Sequence, residues 1–119
     1  MFPKATLNLQ VGDKKRELEA TVAFDRNAFW VLDERGTTLK AFFYTNIKIA
    51  EYTYSKSARW KTGAVGAPVL TSANGNRHWF MVQTQDDYAL LYLDKDSFRS
   101  VVAAFELRAD TKVETAESR

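Results

Sequence analysis

The feature that most constrains this chain is an alternation of apolar and polar side chains with a period of two residues. The clearest run carries apolar or small residues at Leu18, Ala20, Val22 and Phe24. An earlier run with the same period carries Ala5, Leu7, Leu9 and Val11. A helix repeats about every 3.6 residues, so a period of two predicts strands with one buried face.

Turn signals divide the chain into short segments of this kind. Strands are predicted over residues 5–11, 17–24, 28–33, 37–44, 47–55, 77–85 and 88–93. Residues 33–36 suit a type I turn closed by Gly36 at positive φ, and Asn74-Gly75 is a typical hairpin signal ahead of the sixth strand. The glycines and the proline of residues 62–76 argue against a regular helix there, and the role of this segment stays open. Strands this short and closely spaced are typical of an antiparallel barrel or sandwich.

One amphipathic helix is predicted over about residues 94–109. Its apolar positions follow helical spacing and form one stripe: Phe98, Val101, Val102, Phe105 and Ala109. Asp94 or Asp96 can cap its N-terminus, and Leu107 lies opposite the stripe, where it should be exposed. The preceding segment, residues 88–93, is apolar on both faces, so we expect the helix to cover it.

Length and composition fit one ordinary globular domain. The 119 residues are close to the usual domain size of about 100–150. The domain is predicted to span residues 1–113, followed by a polar tail, 114–119, that frays. The net charge of +2 gives no large field toward nucleic acid or acidic lipid, and the absence of cysteine excludes disulfides and cysteine-ligated zinc.

Localisation is weakly constrained by the sequence. No run reaches the roughly 18 apolar residues that a membrane-spanning helix needs. No apolar segment of a signal peptide follows Met1. The chain as written is expected to be cytoplasmic, or periplasmic or otherwise exported if a leader peptide has been removed.

The candidate catalytic residues all have a simpler structural interpretation. His78 is the only histidine and has no neighbouring metal ligands, so it is interpreted as a hydrogen-bonded or surface residue of a strand. Asp86 and Asp87 fit hairpin-turn chemistry, and Asp94 and Asp96 fit helix capping. No catalytic residue, metal site or cofactor is therefore predicted.

One group of side chains suggests a contact surface. It combines basic and tryptophan residues: Lys56, Arg59, Trp60, Lys61, Arg77 and Trp79. Such a mixture suits a lipid headgroup interface or a stacking platform for single-stranded nucleic acid. The alternative is that Trp60 and Trp79 lie in the core with the basic residues solvated beside them.

Several segments resemble a known group of proteins. Residues 44–52, YTNIKIAEY, resemble the I-P-Y-x-x-I-x-x-x-x-Y stretch of small bacterial proteins with pleckstrin-homology-like (PH-like) or GRAM-like folds. Residues 59–61, 77–80 and 93–99 resemble later landmarks of one such bacterial family, in which a basic-aromatic strand leads to a hairpin and a final helix. The chain differs from that pattern at Asn46, where the family often has proline, and residues 62–71 are less apolar than usual. The family has no agreed activity, so the resemblance implies a fold and no site residue.

The order of strands followed by one helix, together with this resemblance, predicts a mainly β, PH-like fold. We expect an antiparallel barrel or sandwich of about six or seven strands capped by the C-terminal helix. The expected function is a non-enzymatic binding or adaptor module for a peptide, a protein partner or a membrane surface; a strand edge beside the helix could accept a peptide. Self-association is a further option. The alternatives are a barrel or enzyme with a small-molecule cavity and, less expected, a single-stranded nucleic-acid binder.

Overall fold

The computed structural model describes residues 2–11, 14–60 and 69–115, with backbone alone for residues 10–11, 14–15, 57–60, 69–74 and 114–115. The elements in chain order are β1 Phe2–Val11, β2 Lys14–Phe24, β3 Ala28–Leu32, β4 Thr38–Phe43, a short 3₁₀ helix Tyr44–Asn46, β5 Ile47–Trp60, β6 Val69–Thr84, β7 Tyr88–Leu93, α1 Phe98–Ala109 and β8 Glu114–Thr115. The predicted mainly β fold with one C-terminal helix is confirmed.

The strands form one sheet in the order β4-β3-β2-β1-β7-β6-β5-β8. Neighbouring strands from β1 to β7 are antiparallel, and the two-residue β8 runs parallel to β5. The pairing of β1 with β7, centred on Leu7 and Leu91, joins the two halves of the sheet. Within the described residues the sheet stays open, since β4 and β8 form its two ends.

The core lies on one face of this curved sheet, under α1. The ring of Phe105 in α1 lies 5.7 Å from that of Phe29 in β3 and 5.3 Å from that of Phe80 in β6, centroid to centroid. Phe29 and Phe80 also contact each other edge to face, at 6.3 Å. The helix therefore packs against both halves of the sheet, contacting β3 in one half and β6 in the other. Such aromatic pairs add about 0.5–1.5 kcal/mol each beyond the area they bury.

The predicted helical stripe is confirmed, although the helix begins later than residue 94. Val101, Phe105 and Ala109 are buried, and Phe98 and Val102 pack partly buried against the same core. Residues 94–97 form a turn in which the carbonyl of Asp94 accepts the N–H of Phe98 at 2.9 Å. The predicted helix cap at Asp94 or Asp96 was wrong, since the N-cap residue is Ser97 and the carboxylate of Asp94 accepts the backbone N–H of Asp96 at 3.0 Å within this turn.

The face of α1 opposite the core also agrees with the prediction, since Leu107 is 82% exposed. With 12 residues, α1 is the longest helix that the described part of the chain contains. No helix in those residues is long and apolar enough to cross a membrane.

The turn between β3 and β4 follows its sequence signal. One carboxylate oxygen of Asp33 accepts the backbone N–H groups of Arg35 and Thr37, at 2.9 and 2.8 Å. Gly36 closes the turn with φ +85°, a conformation that L side chains rarely adopt. The type I turn closed by a glycine is therefore as predicted.

Asp25 organises the turn between β2 and β3. Its carboxylate accepts the backbone N–H of Ala28 at 2.6 Å and the indole N–H of Trp30 at 2.9 Å. Its backbone carbonyl accepts the hydroxyl of Tyr44 at 2.8 Å. Hydrogen bonds to the charged form, led by that from the backbone N–H of Asn27, hold the pKa of Asp25 below its ordinary value.

The prediction of a turn at Asn74-Gly75 was wrong. Both residues lie inside β6, which pairs with β5 on either side of them. Ser55 pairs with Arg77 and Ser57 pairs with Ser72, so Lys56 of β5 faces residues 73–76 of β6. The extra residues form a bulge, and the hairpin continues beyond it to Trp60 and Val69. Local turn propensity is overridden here because the flanking residues still pair with β5.

Replacing Phe105 by alanine should lower the free energy of unfolding by about 3–5 kcal/mol, because it leaves a cavity at the junction of β3, β6 and α1. The matched control is Leu107→Ala on the exposed face of the same helix, which should change stability by no more than about 0.5 kcal/mol. Urea denaturation followed by tryptophan fluorescence measures both. A loss below about 1 kcal/mol for Phe105→Ala would contradict the central role given to this ring.

Candidate functional site

The structure places Trp79, one member of the predicted basic-aromatic group, in the protein interior. Its side chain is fully buried, and its indole N–H donates to the backbone carbonyl of Ser55 at 2.9 Å. Trp79, Met81 and Leu90 form a second, smaller apolar cluster. Trp79 is therefore a core residue, as the alternative interpretation proposed, and its ring does not form part of the surface.

The other members of the group divide between described and undescribed side chains. Arg77 is exposed, with its guanidinium 5.4 Å from the ring centre of Tyr92, and Lys56 is exposed at the bulge of β5. Arg59 and Trp60 lie in β5, but only their backbone is described; Lys61 lies outside the described residues. A contact role for these residues stays a prediction.

Asp87 acts in a hairpin turn, in line with the sequence interpretation of Asp86 and Asp87. Asp87 lies in the turn between β6 and β7, where its backbone carbonyl accepts the N–H of Thr84 at 2.8 Å. Its carboxylate also forms an ion pair with Lys40 of β4 at 2.7 Å, which links this turn to the far edge of the sheet. No group of three or more potential metal ligands occurs among the residues that the structure describes.

A cleft of about 380 Å³ bears on the alternative of a small-molecule site. It lies where the register between β1 and β2 shifts, beside Lys4, which has φ +67°. Its lining carries both signs of charge, from Lys4, Glu19 and Glu34. The cleft therefore lies at an irregularity of the sheet, and none of its lining residues is aromatic.

His78 lies at the junction of β5, β6 and α1. Its Nδ1 is 2.6 Å from the hydroxyl oxygen of Tyr52, which is the length of a strong hydrogen bond. Its ring stacks on Phe98 at 3.8 Å and contacts Tyr54 at 4.5 Å. The histidine is thus hydrogen-bonded and packed, and it connects the first residue of α1 to the hairpin formed by β5 and β6.

The electrostatics of this junction favour neutral side chains. Burial lowers the pKa of His78, and the nearby charge of Arg99 lowers it further, while Asp94 acts in the opposite direction. Burial also raises the pKa of Tyr52. Near neutral pH both partners of the hydrogen bond are therefore uncharged.

The edge of β5 beside this junction is where the sheet binds an extended segment. In parallel pairing, Glu51 is the partner of Glu114, and Tyr52 is the partner of Thr115. β5 has 14 residues, and the described pairing on this edge involves two of them. Further along the same strand Tyr54 is 50% exposed, although a tyrosine carries a large apolar ring.

The segment leading into β8 is held against α1. Asp110 takes a left-handed conformation, with φ 51°, that ends the helix. The backbone N–H of Val113 then donates to the carboxylate of Glu106 at 2.9 Å. The side chain of Val113 is only 7% exposed and belongs to the main core cluster.

This placement of the C-terminal segment was missed from the sequence. Residues 114–119 were predicted to fray, whereas Glu114 and Thr115 pair with β5. The available signal was Val113, a β-branched apolar residue alone in a polar stretch, seven residues after Glu106. An isolated apolar residue of this kind is compatible with a short anchoring contact, but the sequence does not show where it packs.

The unfolding free energy should decrease as the pH falls from about 7.5 to about 5.5. The unfolded chain binds a proton on His78 near pH 6.5, whereas the folded chain resists that proton because the pKa is lowered. Chemical denaturation at several pH values measures the slope. His78→Gln keeps a hydrogen-bonding side chain that does not titrate, so its stability should depend less on pH in this range. Equal slopes for the two proteins would contradict the prediction.

No protein-family model matches this chain, and no curated protein or solved structure matches it significantly. The resemblance to PH-like bacterial proteins therefore stays a prediction. The geometry of the β5 edge, β8 and α1 is the basis for a functional proposal.

Proposed function

We propose that this protein is a non-enzymatic binding module that takes up an extended segment of a partner protein at the edge of β5, next to α1. The observation that carries the proposal is the pairing of Glu114–Thr115 with Glu51 and Tyr52. An edge that hydrogen-bonds one extended segment has the geometry to pair with another. In strand addition, main-chain hydrogen bonds provide affinity, and pockets for alternate side chains provide specificity.

The side chains beside this edge support the proposal. Tyr54 follows Tyr52 at a spacing of two, so the two side chains lie on the same face of β5. That face carries a continuous aromatic stack, in which Tyr54 contacts His78 and His78 stacks on Phe98. Arg99 extends it, with its guanidinium 5.5 Å from the ring centre of Phe98. Side chains of an added strand that point toward α1 would meet these rings.

β5 is longer than its described pairing with β8. The described pairing on this edge stops at Tyr52, and β5 continues to Trp60. A partner segment of more than two residues would pair with β5 over more of its length than the described residues of β8 do. Strand edges can pair with an additional strand because they present a row of backbone hydrogen-bond donors and acceptors.

We further propose that the fold is PH-like, as the sequence resemblance implies. This proposal is supported by the order of elements, seven antiparallel strands followed by one helix that packs on the core.

Peptides selected from a random twelve-residue display library on the full chain should bind at the β5 edge. Amide chemical-shift changes measured by NMR should centre on residues 51–56. Tyr54→Ala should weaken binding of the selected peptides by about twofold to tenfold, since a ring contact contributes about 0.5–1.5 kcal/mol. The matched control is Phe43→Ala, which removes a 60% exposed ring from β4 at the opposite side of the sheet and should leave the affinity unchanged.

Two outcomes would overturn this proposal. One is a set of peptides whose shift changes lie on β4 and whose affinity falls with Phe43→Ala instead. The other is a chain that selects no peptide but co-sediments with vesicles containing anionic lipid, in a manner lost when Lys56, Arg59 and Lys61 are replaced by glutamate. That result would favour a membrane surface as the partner.

A further inference from the structure

We infer that the C-terminal segment, residues 111–115, is an internal ligand of the β5 edge and that a partner must displace it. The sequence of this segment then indicates which kind of peptide the site accepts. This inference rests on the proposed function of the same edge. The expected ligand is an extended segment, parallel to β5, in which a β-branched aliphatic residue directly precedes the paired residues.

The first element of recognition is the site that holds Val113. Its side chain is 7% exposed and packs in the cluster that contains Phe105 and Ala109 of α1. Val113 immediately precedes Glu114 and Thr115, which pair with β5. One buried aliphatic side chain therefore anchors the segment and sets which residues reach the edge. A valine or isoleucine fits such a position, whereas a charged residue would lose its hydration without a partner.

The second element is the carboxylate of Glu106. It accepts the backbone N–H of Val113 at 2.9 Å, and this hydrogen bond is formed with the main chain rather than with a particular side chain. Any non-proline residue at this position of a bound segment can donate the same N–H. Glu106 therefore selects for an extended backbone at the point where the segment enters the edge, and it excludes proline at the anchor.

The third element is the attachment of the internal segment to α1. The described pairing of β8 involves two residues of the tail and two of β5. The ordering of a short segment that is already attached to α1 costs little, because the helix holds it near its site at a high effective concentration. A longer partner segment can compensate for this advantage by pairing along β5 beyond Tyr52. The tail would thus raise the affinity that a partner needs for binding, and only long extended segments would reach that affinity.

The charges of the tail also indicate which peptides can compete with it. The tail places Lys112 before the anchor and Glu114 after it, so its charges balance around Val113. The selectivity should come from the aliphatic anchor and the backbone rather than from a net charge. Peptides selected from the random library should accordingly be enriched in valine or isoleucine at one position, with no proline there.

The test uses a fluorescein-labelled synthetic peptide of residues 109–119 and three forms of the protein. These are the full chain, a chain that ends at Lys112, and full-length Glu106→Ala. The peptide should bind the chain ending at Lys112 at least about tenfold more tightly than the full chain, because its site is vacated. Replacing Val113 by aspartate in the peptide should weaken that binding by about tenfold or more.

A second variant covers the case in which the chain ending at Lys112 does not fold, which circular dichroism would reveal. Glu106→Ala keeps the whole chain and removes only the acceptor for the Val113 N–H. It should bind the peptides selected from the library several-fold more tightly than the wild type, since it loosens the internal segment. Leu107→Ala, on the exposed face of α1, is the matched control and should bind like the wild type.

The outcomes separate this inference from the proposed function. If library-selected peptides bind the full chain, the shortened chain and Glu106→Ala with equal affinity, the edge accepts partners and the tail does not compete, which overturns the inference alone. If neither the tail peptide nor any library peptide binds any form of the protein, both proposals fail. If the aspartate-containing peptide binds as well as the original, the anchoring role of Val113 is wrong.

Discussion

The packing of Phe105 against phenylalanines from both halves of the sheet is the contact on which the rest of the molecule depends. Phe29 belongs to β3 and Phe80 to β6, strands that lie four places apart in the sheet order. A sheet that stays open needs some element to cover its apolar face, since hydrogen bonds along the strands do not bury that face. The helix provides this cover, and its Phe105 ring contacts both halves of the sheet.

The candidate site follows from the position of the helix. The N-terminal residue of α1, Phe98, stacks on His78, and the C-terminal end of α1 directs the chain back toward β5. Glu106 and Val113 then hold the returning segment beside the strand edge. The same core contact that stabilises the fold therefore places an edge, an aromatic surface and an extended segment next to one another.

Local patterns predicted the elements well where one periodicity dominated. The period of two located β1 and β2, and the stripe ending at Ala109 located α1, because each pattern reflects burial of one face of a regular element. Local patterns failed where pairing with a distant strand decided the conformation. Asn74-Gly75 has strong turn chemistry, yet its neighbours pair with β5 on both sides, so the two residues form part of a bulge.

The sequence by itself determined the mainly β class of the fold with its C-terminal helix, the buried faces of β1, β2 and α1, and the turn role of Asp33 and Asp87. These properties depend on residues near one another in the chain. The order of the strands, the burial of Trp79 and the return of Val113 to β5 were decided by the tertiary structure alone. They depend on contacts between distant segments, whose energies become favourable only once the core around Phe105 has formed and the chain entropy of bringing those segments together has been offset.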